Sequence, residues 1–116
     1  MPFIRFHGFD EGFLKSFSPL LKQQLSVIMG VHENIVKIEL VSSQPISDLP
    51  KYVEILMFPR PQEAHDVIAK WLNDQLEQRG FPKTHIFFVL LAPSLYYKEG
   101  KPLVNYTYAE WPAMKT

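Results

Sequence analysis

Four short segments of the chain carry the apolar pattern of β-strands, either alternating with polar residues or continuous. The first combines β-branched and aromatic side chains, and Gly8 follows it as a breaker. The second places Val36, Ile38 and Leu40 on one face, with charged residues between them. The predicted strands are residues 2–7, 35–41, 52–58 and 85–91, with a Ser- and Pro-rich loop at 42–51.

A first helix is predicted between the first two strands, because apolar residues recur at helical spacing over residues 13–28. Gly30 stands where a helix end usually places a left-handed residue. Ser18 and Pro19 leave two interpretations open, since a proline suits the first turn of a helix and also kinks a longer one. We favour the long, kinked helix, which begins near Asp10.

A second helix is predicted to open at residues 60–63, where Pro61 suits the first turn and Glu63 complements the positive end of the helix dipole. Gly80 ends this helix. His65 falls on its polar side, so we expect that imidazole to be solvated. The apolar face consists of Ala64, Val67, Ile68, Trp71, Leu72 and Leu76.

The order strand, helix, glycine, strand occurs twice, and the two helix-ending glycines are fifty residues apart. This repetition predicts two βαβ units with right-handed crossovers, at about residues 2–42 and 52–92. A turn at 98–101 and one more short strand, Leu103 to Tyr108, fall in the remaining segment 93–116. The expected fold is a single α+β domain over residues 1–116. It has two layers: a four-stranded mixed sheet with two helices on one face, plus the short C-terminal strand.

The opposite face of such a sheet stays uncovered, because both helices pack on the same side. Strands 52–58 and 85–91 contribute much apolar surface to that bare face. A large apolar face is usually buried by other subunits. The chain is therefore expected to form a homo-oligomer.

Composition excludes several classes of protein. The chain has 116 residues, 47% of them hydrophobic, and its formal net charge is +0. The balanced charge argues against nucleic-acid binding, and no apolar run is long enough for a membrane span. Without cysteine there is no thiol nucleophile or zinc–thiolate site, and the four histidines lack ligand spacing. We expect no metal, no cofactor and a cytoplasmic location.

The extreme N-terminus makes the most specific chemical suggestion. Proline is the second residue and begins the first strand. Removal of Met1 would leave Pro2 with a free secondary amine at the mouth of a folded sheet. A neutral amine at such a place is a candidate general base.

Pro2, the two βαβ repeats and the chain length together resemble the tautomerase superfamily, with the architecture of macrophage migration inhibitory factor. This likeness is clearest in the segment from Gly12-Phe13-Leu14 through Gly30 and in the strand that follows it. Two further segments resemble a little-characterised prokaryotic branch of that superfamily: Phe58-x-Arg60-x-Gln62 and Tyr96-Tyr97-x-x-Gly100. The resemblance implies a trimer, and an N-terminal proline base that moves a proton on a small keto or enol acid.

Beyond Pro2, the family's site residues match poorly. The lysine that often follows the helix-ending glycine is replaced by Val31-His32, and the fourth-strand tyrosine and asparagine fall near His85 and Phe87. Arg60 is the best cation for a substrate acid group, and its alternative role is a helix-entry arginine that lies on the surface or pairs with an acidic residue. Arg5, His85 and Tyr97 complete the candidate substrate-binding set.

Charged residues on the strands have two interpretations. Arg5, Lys37, Glu39 and Glu54 interrupt apolar neighbours, so they form either a salt-bridged polar layer inside the oligomer or a charged wall of the site. Two functions follow for the whole chain. One is a keto–enol tautomerase that uses Pro2 after Met1 removal. The other is a non-catalytic oligomeric binding or scaffold protein with the same fold.

Overall fold

A computed structural model of the protein describes residues 1–103, which form a two-layer structure of helices on a sheet. The sheet strands are β1 Phe3–His7, β2 Lys37–Val41, β3 Tyr52–Met57 and β4 His85–Leu90. Helix α1 spans Glu11–Met29, and α2 spans Gln62–Gln78. A small hairpin follows, with β5 at Tyr97–Lys98 and β6 at Lys101–Pro102, and short 3₁₀ turns lie at Glu33–Ile35 and Pro93–Leu95.

The sheet has the order β2-β1-β3-β4. Strands β1 and β2 are parallel, β3 and β4 are parallel, and the central pair β1–β3 is antiparallel. Each parallel pair is connected through one helix, so the two predicted βαβ units and the mixed sheet are confirmed. Among residues 1–103, no helix is both long and apolar enough to cross a bilayer.

Alternation along β1 separates the core from the open face of the sheet. Ile4 and Phe6 have no exposed surface and pack in the core beneath the helices. Arg5 lies on the other face, in register with Glu39 on β2 and Glu54 on β3. Phe87 on β4 continues that row and is 43% exposed. The open face therefore carries a charged row that ends in exposed apolar surface.

Helix α1 is the long helix favoured from the sequence. Asp10 caps it, its Oδ1 accepting from the Phe13 N–H at 3.1 Å, and Gly30 ends it in the left-handed conformation at φ 67°. Pro19 lies inside and has no N–H for the Lys15 carbonyl. That carbonyl instead accepts from the Ser18 hydroxyl at 3.4 Å, so it keeps a hydrogen-bond partner beside the internal proline.

Two element starts differ from the sequence expectation. Strand β2 begins at Lys37 because the chain first makes a 3₁₀ turn, in which His32 Nδ1 accepts from the Asn34 N–H at 3.1 Å. Helix α2 begins at Gln62, with Pro61 at the N-cap position. Both differences come from local turns that apolar periodicity does not register.

The expectation of a solvated His65 is wrong. Its side chain is only 9% exposed, and its ring meets Phe88 of β4 edge-on at 4.5 Å. Val67, which was placed on the apolar face, is 41% exposed instead. Helix α2 is rotated so that its buried positions are Ala64, His65, Ile68, Leu72 and Leu76.

The turn expected at residues 98–101 is the hairpin turn between β5 and β6. Glu99 and Gly100 both have positive φ and form its two-residue loop, the geometry of a type I′ turn. Of the expected strand Leu103 to Tyr108, all but the first residue lie outside the described residues.

Core packing predicts that two isoleucines differ greatly in their contribution to the free energy of unfolding. Ile4 is fully buried, whereas Ile46 in the 42–51 loop is 93% exposed. Ile4→Ala should lower the free energy of unfolding by about 2–5 kcal/mol, since it removes buried methyl groups and leaves a cavity. Ile46→Ala should change it by less than about 0.5 kcal/mol. Urea unfolding monitored by circular dichroism measures both, and equal losses would contradict this account of the core.

Candidate functional site

The N-terminus is fixed at the start of the central strand. Pro2 is buried, and its carbonyl accepts from the Lys37 N–H at 2.9 Å, which extends the β1–β2 ladder by one bond. The Met1 amine donates to the Ile35 carbonyl at 3.1 Å. The position of the terminal amine is therefore set by the sheet and by the 3₁₀ turn before β2.

A small depression next to the N-terminus contains the predicted anion anchor. Its lining consists of Met1, Met29, Met57, Phe58 and Arg60. Arg60 Nη1 donates to the Met29 carbonyl at 2.9 Å, at the C-terminal end of α1. A cation there is favoured by the negative end of the helix dipole. The structure thus brings the N-terminus and Arg60 together at one shallow depression.

The N-terminal amine is easier to deprotonate than an ordinary one. Burial lowers the pKa of the Met1 amine below its ordinary value of 8.0, and the nearby Lys37 ammonium lowers it further. Both causes disfavour the protonated form. Pro2 is buried at the same place, so an amine transferred to Pro2 by removal of Met1 would meet similar desolvation.

His65 is a residue of this region that the sequence reading missed. Its Nε2 accepts from the Arg60 backbone N–H at 3.3 Å. Burial is the main cause that lowers the pKa of His65, so its imidazole stays neutral near pH 7. In the sequence, the available signal was that His65 lies within six residues of Arg60, the predicted anion-binding residue. Helical periodicity alone assigned it to the wrong face.

Arg5 lies in an ion-pair network on the open face of the sheet. Its guanidinium lies 2.8 Å from Glu39 and 3.2 Å from Glu54, and Glu54 also contacts His7 Nε2 at 2.6 Å. Tyr52 stacks on the His7 ring at 4.1 Å. Four strand charges were expected to form a polar layer. Three of them are therefore paired in the structure: Arg5, Glu39 and Glu54.

The other two candidate substrate contacts lie away from the N-terminus within one subunit. His85 is exposed at the start of β4. Val89, four residues further along β4, pairs with Leu56 on β3, and Leu56 pairs with Phe3 at the start of β1. His85 therefore lies four residues along the strand from the level of the N-terminus. That separation is about 13 Å along the strand. Tyr97 is 59% exposed in β5. Neither residue lines the depression at Met1 and Arg60.

A larger cavity lies at the opposite end of β1. The 42–51 loop crosses that end and encloses about 420 Å³, with Ser42, Ser43, Ser47 and Lys51 among the lining residues. His7 lies at its base, and His7 Nδ1 has no hydrogen-bond partner within the described part of the chain. In the sequence, the signal for this cavity was the unusual length of the polar 42–51 loop. Over residues 1–103, no cluster of three or more His, Asp or Glu side chains is arranged to hold a metal ion.

Comparison with known proteins identifies relatives of this fold. The family model described as "Domain of unknown function (DUF1904)" matches residues 1–102. A DUF1904 domain from Sebaldella termitidis is 25% identical, with a TM-score of 0.80, over 88% of this chain and 99% of that one. A protein of unknown function from Vibrio cholerae is 28% identical, with a TM-score of 0.81, over 87% and 86% of the two chains.

A more distant structure connects the chain to the superfamily that the sequence resembles. The macrophage migration inhibitory factor homologue from Prochlorococcus marinus is 18% identical, with a TM-score of 0.69, over 88% of this chain and 97% of that one. At this identity the likeness concerns the fold alone, and it confirms the expected tautomerase-superfamily fold. No curated protein matches the chain.

The burial of His65 predicts a specific acid sensitivity. Its lowered pKa means that the unfolded chain binds a proton at a higher pH than the folded chain does. Stability should therefore fall as pH drops below the ordinary histidine value of about 6.5, with a slope of at most about 1.4 kcal/mol per pH unit from this group. Urea unfolding at several pH values should show a smaller loss for His65→Gln. The exposed-site control, His85→Gln, should match wild type, and an unchanged slope in His65→Gln would contradict the assignment.

Proposed function

The chain belongs to the DUF1904 family, and from its fold and N-terminal site we propose that it moves a proton on a small keto or enol acid. Pro2 is the base in this proposal, as a free secondary amine after removal of Met1, and Arg60 binds the acid group. One observation carries the proposal: the N-terminus and Arg60 border the same depression.

The proposed reaction needs only a base and an anion site. The neutral Pro2 nitrogen takes a proton from the carbon next to a carbonyl, so that a C–H bond breaks, an N–H bond forms and an enolate results. The same N–H then returns the proton elsewhere on the enolate, and the amine is neutral again. The Arg60 guanidinium can bind the substrate carboxylate through two parallel hydrogen bonds and stabilise the developing negative charge.

Apolar side chains buried beside the depression support this chemistry. Met29, Met57 and Phe58 border the depression and are almost fully buried. Poor solvation disfavours the charged ammonium form of the amine and strengthens the attraction between a carboxylate and Arg60. A lowered pKa increases the neutral fraction of the amine at a given pH, and proton abstraction requires that neutral form.

We propose further that the working protein is a homo-oligomer, and the resemblance in sequence implies a trimer. The open sheet face supports this, because Phe87 and Val89 on β4 are both exposed large apolar residues. Within one subunit His85 and Tyr97 do not reach the depression. Their contribution to substrate binding, like any contribution of Arg5, would come across a subunit interface.

Pro2→Ala tests the base. We expect kcat for the ketonisation of phenylenolpyruvate to fall by about 10²-fold or more, since general-base catalysis is typically worth about 10²–10⁴. Wild type with a short N-terminal extension is the matched control, because its Pro2 nitrogen is an amide and has no basic lone pair. Mass spectrometry must first show that wild type begins at Pro2. Equal rates for all three proteins would contradict the proposal.

Arg60→Gln tests the anion site. Loss of a charge-assisted pair worth about 1.5–3 kcal/mol should weaken substrate binding by about 10- to 100-fold, seen as a raised KM. Arg79→Gln is the matched control, because Arg79 follows the other end of α2, about 26 Å away by helix length. An equal effect of the two substitutions would show that Arg60 has no special part in binding.

The lowered pKa of the amine predicts the pH profile. The base works only when neutral, so kcat/KM should rise with pH through the pKa of the terminal amine and level off above it. Burial lowers the pKa of the Met1 amine, and we expect it to act on the Pro2 amine in the same direction. The midpoint should therefore lie below the pKa of the same amine in an exposed peptide. Steady-state kinetics over a pH series measures this midpoint. A profile that is flat or falls with rising pH would contradict an amine base.

The alternative function is a non-catalytic binding or scaffold protein. It is favoured by the cavity under the 42–51 loop, whose volume of about 420 Å³ lies in the range of small-molecule sites. It is also favoured by the hydrogen bonds that the Met1 amine and Arg60 already make to backbone carbonyls. Background-level turnover by wild type and Pro2→Ala alike, both with free N-termini, would support this alternative.

A further inference from the structure

Arg60 is held in place at two separate points. Its guanidinium Nη1 donates to the Met29 carbonyl at the end of α1, at 2.9 Å. Its backbone N–H donates to His65 Nε2 in the first turn of α2, at 3.3 Å. The first bond fixes the direction of the side chain, and the second fixes the backbone from which the side chain extends. A change at either point would move the guanidinium relative to the N-terminus.

The hydrogen bond from the Arg60 backbone N–H to His65 depends on the protonation state of His65. Nε2 can accept the Arg60 N–H only while it carries no proton, so the neutral ring has its proton on Nδ1. A protonated imidazole has two donors and no acceptor. It would lose the bond to Arg60 and add a positive charge beside that N–H.

The surroundings of His65 contain few groups that would favour the charged ring. Phe88 contacts it from β4 with its ring edge-on, and His65 Nδ1 has no hydrogen-bond partner among residues 1–103. Burial is the largest cause and lowers the pKa of His65. The hydrogen bond with the Arg60 backbone and the Asp66 charge raise that pKa, the Arg60 charge lowers it, and the net direction is downward. The geometry has the Arg60 N–H facing Nε2, so the neutral ring is the form that completes this contact.

We propose that His65 is a positioning residue for Arg60, and that its neutral form maintains the affinity of the depression for small carboxylates. This inference rests on the proposed function, because it concerns the anion site of that reaction. It adds a second group through which acid acts on the protein. Protonation of the N-terminal amine removes the base and lowers kcat, whereas protonation of His65 displaces Arg60 and raises KM.

The experiment measures carboxylate binding without catalysis. Benzoate is the probe and benzamide is its uncharged control, and binding is followed by NMR chemical-shift titration of the protein. Dissociation constants are measured at about pH 7.5 and about pH 5.5, on either side of the ordinary histidine pKa. Four variants are compared with wild type: His65→Ala, His65→Gln, Arg60→Gln and the exposed α2 control Lys70→Gln.

We expect His65→Ala to bind benzoate about 3- to 10-fold more weakly at the higher pH, the cost of about one hydrogen bond. His65→Gln should retain more affinity, because its amide oxygen can accept the Arg60 N–H. It should also lose the acid-dependent weakening that wild type shows, because an amide does not titrate. Lys70→Gln should resemble wild type at both pH values.

Several results would overturn the inference. One is that benzoate binding is lost in Arg60→Gln but unchanged in both His65 variants. Another is that His65→Gln weakens on acidification as much as wild type does. His65→Gln tests the idea even if His65→Ala fails to fold. Benzoate binding with the expected pattern, in a protein that shows no tautomerase turnover, would sustain this inference while the proposed reaction failed.

Discussion

The strict alternation of side chains along β1 is the constraint on which the rest of the structure depends. This strand lies inside the sheet, between β2 and β3, and its even-numbered residues Ile4 and Phe6 are completely buried. A shift of one residue in register would place Arg5 in the apolar core and expose Phe6. The same alternation sends Arg5 and His7 to the open face, where both contact Glu54.

Both ends of β1 also acquire their roles from this position. At its start, the ladder bond between Pro2 and Lys37 brings the N-terminus against the end of α1 and the segment before α2. At its other end, the long loop between β2 and β3 must cross over His7, because β1 lies between those two strands. The depression beside Arg60 and the cavity under the loop are therefore both consequences of one topology.

Burial shapes the electrostatics near Arg60 more than direct charge pairing does. It is the leading cause that lowers the pKa of the terminal amine and that of His65. Both groups are bases that lose their positive charge where water is scarce. Arg60 keeps its charge, because the guanidinium remains protonated in proteins and here faces the carbonyl end of a helix. The region thus combines one permanent cation with two basic groups whose pKa is lowered by burial.

The sequence by itself determined the elements and much of their order. Apolar periodicity, glycine positions and the repeat gave both βαβ units, and Asp10 and Gly30 gave the limits of α1, since these signals act between residues close in the chain. The meeting of the N-terminus with Arg60, and the burial of His65, were decided only by the tertiary structure. The rotation of α2 on the sheet depends on how its side chains fit against Phe88 and the core, and no local pattern records that fit.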